Sequence, residues 1–124
     1  GAVGGIGGTY GAMPRLYVKL YELFKAGDLV TARALQNDCC RIIYKLCSGK
    51  GNMYAMIKEV LRILGGVDCG SVRAPLAELE ENDYPIAKQC AEMIRAAENL
   101  FVRGYSDLWI FKKCQMPGNG FGSN

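Results

Sequence analysis

The sequence predicts a mainly α-helical chain, about four helices preceded by one short amino-terminal strand, and three observations carry that reading. Apolar residues recur at three- and four-residue spacing along four separate stretches. Residues that start or stop helices bound these stretches: Pro14, Asp28, Asn52 and Asp83 in front, and Gly27, Gly49-Lys50-Gly51 and Gly65-Gly66 behind. The first ten residues break the period, with Val3, Ile6 and Tyr10 set among small residues, a pattern that suits a short strand buried on both faces.

Six of the first eleven residues are glycine, so the backbone there can lie against a ligand or a packed neighbour where a Cβ would collide. No initiator Met precedes them, and the segment reads as interior to something longer. The first helix is expected over about 14–26, with Pro14 at a position where its missing N–H is harmless and Leu16, Leu20, Leu23 and Phe24 as its apolar stripe. Asp28 then caps a long helix carrying Leu29, Ala32, Leu35, Cys39, Ile42, Ile43 and Leu46. Asn52 caps a third, with Met53, Met56, Ile57, Val60, Leu61 and Leu64, which stops at Gly65-Gly66. Asp83 is expected to cap the last helix, with Pro85 in its first turn and Ile86, Cys90, Met93, Ile94, Ala97 and Leu100 along one face. Beyond Phe101 come a short apolar run, Leu108-Trp109-Ile110-Phe111, and a Pro/Gly-rich end expected to be flexible.

A lone strand leaves its own backbone donors and acceptors without neighbours. A strand, then a helix, then further helices is how the end of a β/α architecture reads when the other parallel strands lie elsewhere.

At 124 residues and 50% hydrophobic, the chain fits one domain with a real core. The formal charge of +3 comes from 15 basic and 12 acidic residues with no basic block, which argues against a nucleic-acid partner. No apolar run approaches the ~20 residues of a membrane helix, and no segment resembles a signal peptide. The composition reads as a soluble, cytoplasmic protein with no membrane partner. The six cysteines form no CxxC pair and the chain has no His, so neither a disulfide scaffold nor a zinc site is expected, and the thiols read as small buried hydrophobes.

The glycine segment invites a phosphate-loop reading, which the spacing rejects. From Gly5 the dinucleotide fingerprint would need a third glycine where Tyr10 stands, and Gly49-Lys50 is followed by Gly51 where a Walker loop needs Ser or Thr. Without His the usual Ser and Cys triads cannot be assembled. Glu78, Glu80, Glu81 and Asp83 cluster at a helix amino end, where acidic residues complement the macrodipole. All eight lysines fall on predicted helices, the Gly49–Gly51 turn or the tail, and none on a buried strand, where a Schiff-base lysine is expected. Catalytic, cofactor and metal residues are therefore none.

Gly5-Ile6-Gly7-Gly8-Thr9-Tyr10 followed by Met13, Lys25-Ala26-Gly27-Asp28 between two helices, Lys58 in the third and Arg73-Ala74-Pro75-Leu76 after it carry a family resemblance. From residue 1 to about 101 the chain resembles the carboxyl-terminal part of the N-acetylneuraminate lyase branch of the dihydrodipicolinate synthase family, class I aldolases on a (β/α)8 barrel. The resemblance implies that residues 1–27 are the last barrel strand and helix, that 28–101 are a carboxyl-terminal helical extension, and that 102–124 are a tail without counterpart. It implies a whole enzyme that cleaves N-acetylneuraminate to pyruvate and N-acetylmannosamine through a Lys Schiff base, with a Tyr hydroxyl moving the proton. Both residues, and the loop that holds the pyruvate carboxylate, would lie upstream, leaving this chain inert. Gly7, Gly8, Thr9 and Tyr54 are the substrate-binding residues carried over. Well-known lyases of the family have a Ser at the position of Gly8, so a hydroxyl that reaches the sugar is missing here. Tyr54 matches an aromatic over the substrate chain, and Lys58 matches a family Lys with a surface ion pair as the plainer role.

Two alternatives stand beside this reading. One is an aldolase for another 2-keto-3-deoxy sugar acid, and the other is a helical interaction module whose glycine strand adds to a partner's sheet. Homo-oligomers are expected, because a stripe on the first helix including Leu16, Leu20 and Phe24 would stand exposed.

Overall fold

The structure is a computed structural model and describes residues 1–103. The apolar run 108–111, Cys114, Lys112, Lys113 and the Pro/Gly-rich end lie outside the described residues. Four α-helices follow one another, α1 (Pro14–Lys25), α2 (Leu29–Leu46), α3 (Met53–Gly65) and α4 (Asp83–Ala97), and α4 runs on into a π-helical turn, Glu98–Arg103.

The helices begin and end where local chemistry dictates. Pro14 opens α1. At its far end Gly27 adopts φ 79°. That conformation lets Gly27 N–H reach Phe24 O at 3.0 Å and Asp28 N–H reach Leu23 O at 3.0 Å, the paired bonds of a Schellman stop. Asp28 caps α2 by accepting Thr31 N–H at 3.1 Å, and Asn52 caps α3 by accepting Tyr54 N–H at 2.9 Å. Gly66, at φ 69°, ends α3.

The predicted amino-terminal strand does not form: among the described residues there is no strand, and Val3 and Ile6 stand fully in solvent at 103% and 106% relative exposure. A strand is held by hydrogen bonds to a neighbour, and the described residues supply none. The segment instead closes into turns, with Tyr10 N–H donating to Gly7 O at 3.1 Å and the N–H groups of Ala12 and Met13 to Thr9 O at 3.1 and 3.2 Å.

One core joins all four helices. Leu16 and Leu23 of α1, Leu35 and Ile42 of α2, Met56 and Val60 of α3, and Ile94 of α4 are buried together, with Phe101 of the π-turn closing one end. α3 packs on α4, α1 on α2, α2 on α4, and the π-turn returns against α1. Leu16 therefore corrects the expectation of an exposed stripe: it is fully buried within this chain, Leu20 is partly buried, and Phe24 alone of the three stands out at 64%. With Tyr21 and Leu29, Phe24 borders an open groove of about 760 Å³ beside residues 2–5.

Asp83 departs from its expected role. It is the first residue of α4, yet its carboxylate is 1% exposed and caps no N–H of its own helix. Oδ1 accepts Lys50 N–H and Oδ2 accepts Gly51 and Glu80 N–H, all at 2.9 Å, so it fastens the α2–α3 turn to the start of α4. The two glycines allow that approach. A Cβ on Gly49 would stand 2.7 Å from Asp83 Oδ1, and one on Gly51 would stand 2.9 Å from Glu78 O.

The cysteines divide as well. Cys39 and Cys90 are buried as expected, but Cys40 is half-buried and Cys47 and Cys69 are exposed. Cys40 follows Cys39 by one helical step, about 100° around α2, and Cys69 sits on the loop after α3. No helix among the described residues is long and apolar enough to cross a membrane.

Candidate functional site

The four residues carried over from the sequence do not share one setting. Gly8 and Tyr54 are brought together. A Cβ built on Gly8 would lie 3.2 Å from Tyr54 Cε1 and 3.6 Å from Tyr54 Oη, so the tyrosine ring occupies the space over the missing side chain. Tyr54 comes from the first turn of α3, where Asn52 holds its amide, and its ring is 50% exposed.

Thr9 faces the other way. It is 6% exposed, and its Oγ1 shares a 2.7 Å hydrogen bond with the Tyr17 hydroxyl of α1. Tyr10 lays its ring on Tyr17, centroids 4.4 Å apart and tilted by 47°. Gly7 lies under Tyr10, whose ring would collide with a Cβ there. Burial pushes the Tyr17 hydroxyl above its ordinary pKa of 10.0, and the bond to Thr9 partly opposes the shift. The segment thus has an outer face at Gly8, shared with Tyr54, and an inner face at Thr9 and Tyr17.

Tyr17 was missed in the sequence. Its signal was geometric: a helical side chain leans toward the amino end, so a tyrosine in the first turn of α1 can reach back over the preceding turn.

Among the described residues Lys58 has no ion pair of the expected kind. From α3 its Nζ donates to Cys69 O at 3.1 Å and Ser71 O at 2.6 Å, pinning the loop after α3. Its neighbours Glu59 and Arg62 pair with each other, Arg62 Nε reaching Glu59 Oε2 at 2.8 Å. Lys50, on the turn held by Asp83, pairs with Glu80 at 3.1 Å. The lysines of the described residues lie on helices or on this turn. Among the described residues no group of three His, Cys, Asp or Glu converges as a metal site would require.

This layout has a counterpart among known proteins. Residues 1–94 match the Dihydrodipicolinate synthetase family. The chain belongs to that family.

Within the Dihydrodipicolinate synthetase family, the chain is 52% identical over 102 residues to the N-acetylneuraminate lyase of Mediterraneibacter gnavus, covering 82% of this chain and 32% of the relative. The N-acetylneuraminate lyase of Salmonella agona is 33% identical over 94 residues, 76% of this chain and 31% of that protein. The chain spans about a third of the length of the curated relatives it matches. Among solved structures, wild-type Ruminococcus gnavus sialic acid aldolase superposes with a TM-score of 0.81 at 52% identity, over 82% of this chain and 34% of that one. Its catalytic lysine mutant gives the same TM-score of 0.81.

Proposed function

We propose that this chain is the carboxyl-terminal part of an N-acetylneuraminate lyase, a pyruvate-dependent class I aldolase. The observation that supports this most is the agreement of sequence and shape, 52% identity and a TM-score of 0.81 with a sialic acid aldolase over 82% of the chain. In this reading residues 1–27 belong to the last strand and helix of a (β/α)8 barrel, and 28–101 to a helical extension packed on it.

The whole enzyme cleaves the carbon–carbon bond of N-acetylneuraminate, giving pyruvate and N-acetylmannosamine. A lysine amine condenses with the 2-keto carbon, expelling water and forming a protonated Schiff base that accepts the electrons of the breaking bond. A tyrosine hydroxyl carries the proton between substrate hydroxyl and product carbon. In this reading both groups lie outside the chain. The described lysines sit on helices or the Gly49–Gly51 turn. This chain supplies one wall of the pocket, Gly8 with the Tyr54 ring over it and Gly7 beneath the Tyr10 ring, and Thr9 supports that wall from behind.

The test is borohydride trapping with pyruvate. The full-length enzyme gains a reduced adduct and releases pyruvate from N-acetylneuraminate, whereas the 124-residue chain does neither. Because Gly8 offers no hydroxyl, 2-keto-3-deoxygluconate is the informative competitor. Faster release of pyruvate from it assigns the enzyme to that sugar acid instead.

A further inference from the structure

Thr9 is held at three points. Its carbonyl accepts two backbone N–H groups, from Ala12 and Met13, and its hydroxyl meets the Tyr17 hydroxyl at 2.7 Å. The carbonyl bonds belong to the turn itself. The hydroxyl bond is different: it ties the turn to α1, a helix anchored in the core through Leu16 and Leu23. Gly8, the next residue back, carries the outer face against Tyr54, and glycine has no side chain with which to fix its own position.

We propose that Tyr17 is a positioning residue, which through Thr9 sets where the Gly7–Gly8 backbone stands relative to Tyr54. The role rests on the lyase reading and extends it to a residue on the inner face of the segment. Tyr17 acts twice, by its hydroxyl on Thr9 and by its ring under Tyr10. Tyr17→Phe removes the first contact and keeps the second, which makes the hydroxyl separable from packing. A displacement of about 1 Å in a substrate-positioning wall is enough to depress catalysis without unfolding the protein.

The experiment uses the full-length enzyme carrying this chain. Tyr17→Phe is expected to raise KM for N-acetylneuraminate about threefold to tenfold, the range of one lost hydrogen bond, while the rate of borohydride trapping with pyruvate alone stays at the wild-type value. Thr9→Val reproduces the effect, Thr9→Ser restores wild-type KM by returning the hydroxyl, and the double variant Tyr17→Phe/Thr9→Val is no worse than either single one. An unchanged KM in Tyr17→Phe overturns the role. Equal losses in KM and in pyruvate trapping also overturn it, since they would report general destabilisation. If Tyr17→Phe fails to fold, Thr9→Val and Thr9→Ser carry the comparison alone. A wild-type enzyme that releases no pyruvate from N-acetylneuraminate overturns the lyase reading first, and this role with it.

Discussion

The carboxylate of Asp83 lies 2.9 Å from the amide nitrogen of Gly51, a contact that spans 32 residues and closes the α2–α3 turn onto the start of α4. Gly51 is glycine because of that approach. A Cβ there would stand 2.8 Å from Leu79 Cδ2, 2.9 Å from Glu78 O and 3.0 Å from Asp83 Oδ2. Gly51→Ala is therefore expected to destabilise the chain by about 1–3 kcal/mol, the usual result of overpacking against backbone. Urea unfolding measures it, and a midpoint equal to wild type would mean that the turn has room to spare.

The same carboxylate makes stability depend on acid. Hydrogen bonds from the amides of Glu80, Lys50 and Gly51 hold the Asp83 pKa below its ordinary value of 3.8, despite opposition from burial. A folded-state pKa below the unfolded one stabilises the chain in full above the unfolded value, and that stability is lost as pH falls below 3.8 through the folded pKa. Asp83→Asn should lower Tm at pH 7 and flatten the Tm profile below about pH 4. A variant whose profile parallels wild type down to pH 2 would assign the acid sensitivity to other carboxylates.

Lys58 should govern the loop after α3. Lys58→Met removes both bonds to the Cys69 and Ser71 carbonyls. Amide hydrogen exchange across residues 67–72 is expected to speed about fivefold to tenfold, corresponding to roughly 1 kcal/mol for partly exposed, charge-assisted bonds. Exchange within the α2 core should hold its wild-type rate, and equal acceleration in both places would count against a local pin.

Gly8→Val should move Tyr54. The native separation already places a Cβ 3.2 Å from the ring, and a branched side chain needs more. Because Tyr54 is half exposed, its ring can swing aside, so stability should change by less than about 0.5 kcal/mol. The Tyr54 ring resonances should shift all the same. Unmoved resonances would show that the ring does not cover Gly8 in solution.

The thiols should separate by reactivity. Burial pushes Cys39 and Cys90 up to about 11, whereas Cys47 and Cys69 are exposed. At pH 8 iodoacetamide should label Cys47 and Cys69 more than about a hundredfold faster than Cys39 and Cys90, because alkylation requires the thiolate. Peptide mapping reads each site separately, and comparable labelling of Cys39 in the folded chain would contradict its burial.

What the sequence made legible was chemistry that acts over a few residues. Asp28, Asn52, Gly27 and Gly66 start or stop their helices as expected, since each satisfies backbone groups within one turn. Asp83 looked like another such cap; one of its donors, Glu80, is near in sequence, but the other two, Lys50 and Gly51, lie more than thirty residues away. The glycine segment misled for a related reason. Its composition describes a strand only when other strands flank it, and alone it folds into turns around Thr9. Of the residues named for the candidate site, Gly8 and Tyr54 were chosen for separate reasons and meet in space, while Thr9 turns inward to a tyrosine that no motif had marked.

The core that α1 shares with α2, α3 and α4 has a consequence for how the molecule comes apart. With Leu16 and Leu23 locked among Leu35, Ile42, Val60 and Ile94, the first helix has no boundary along which it could detach from the rest. Among the described residues the four helices are thus expected to be lost in one transition, while the exposed stretches outside that core, the first six residues and the loop after α3, can open without it.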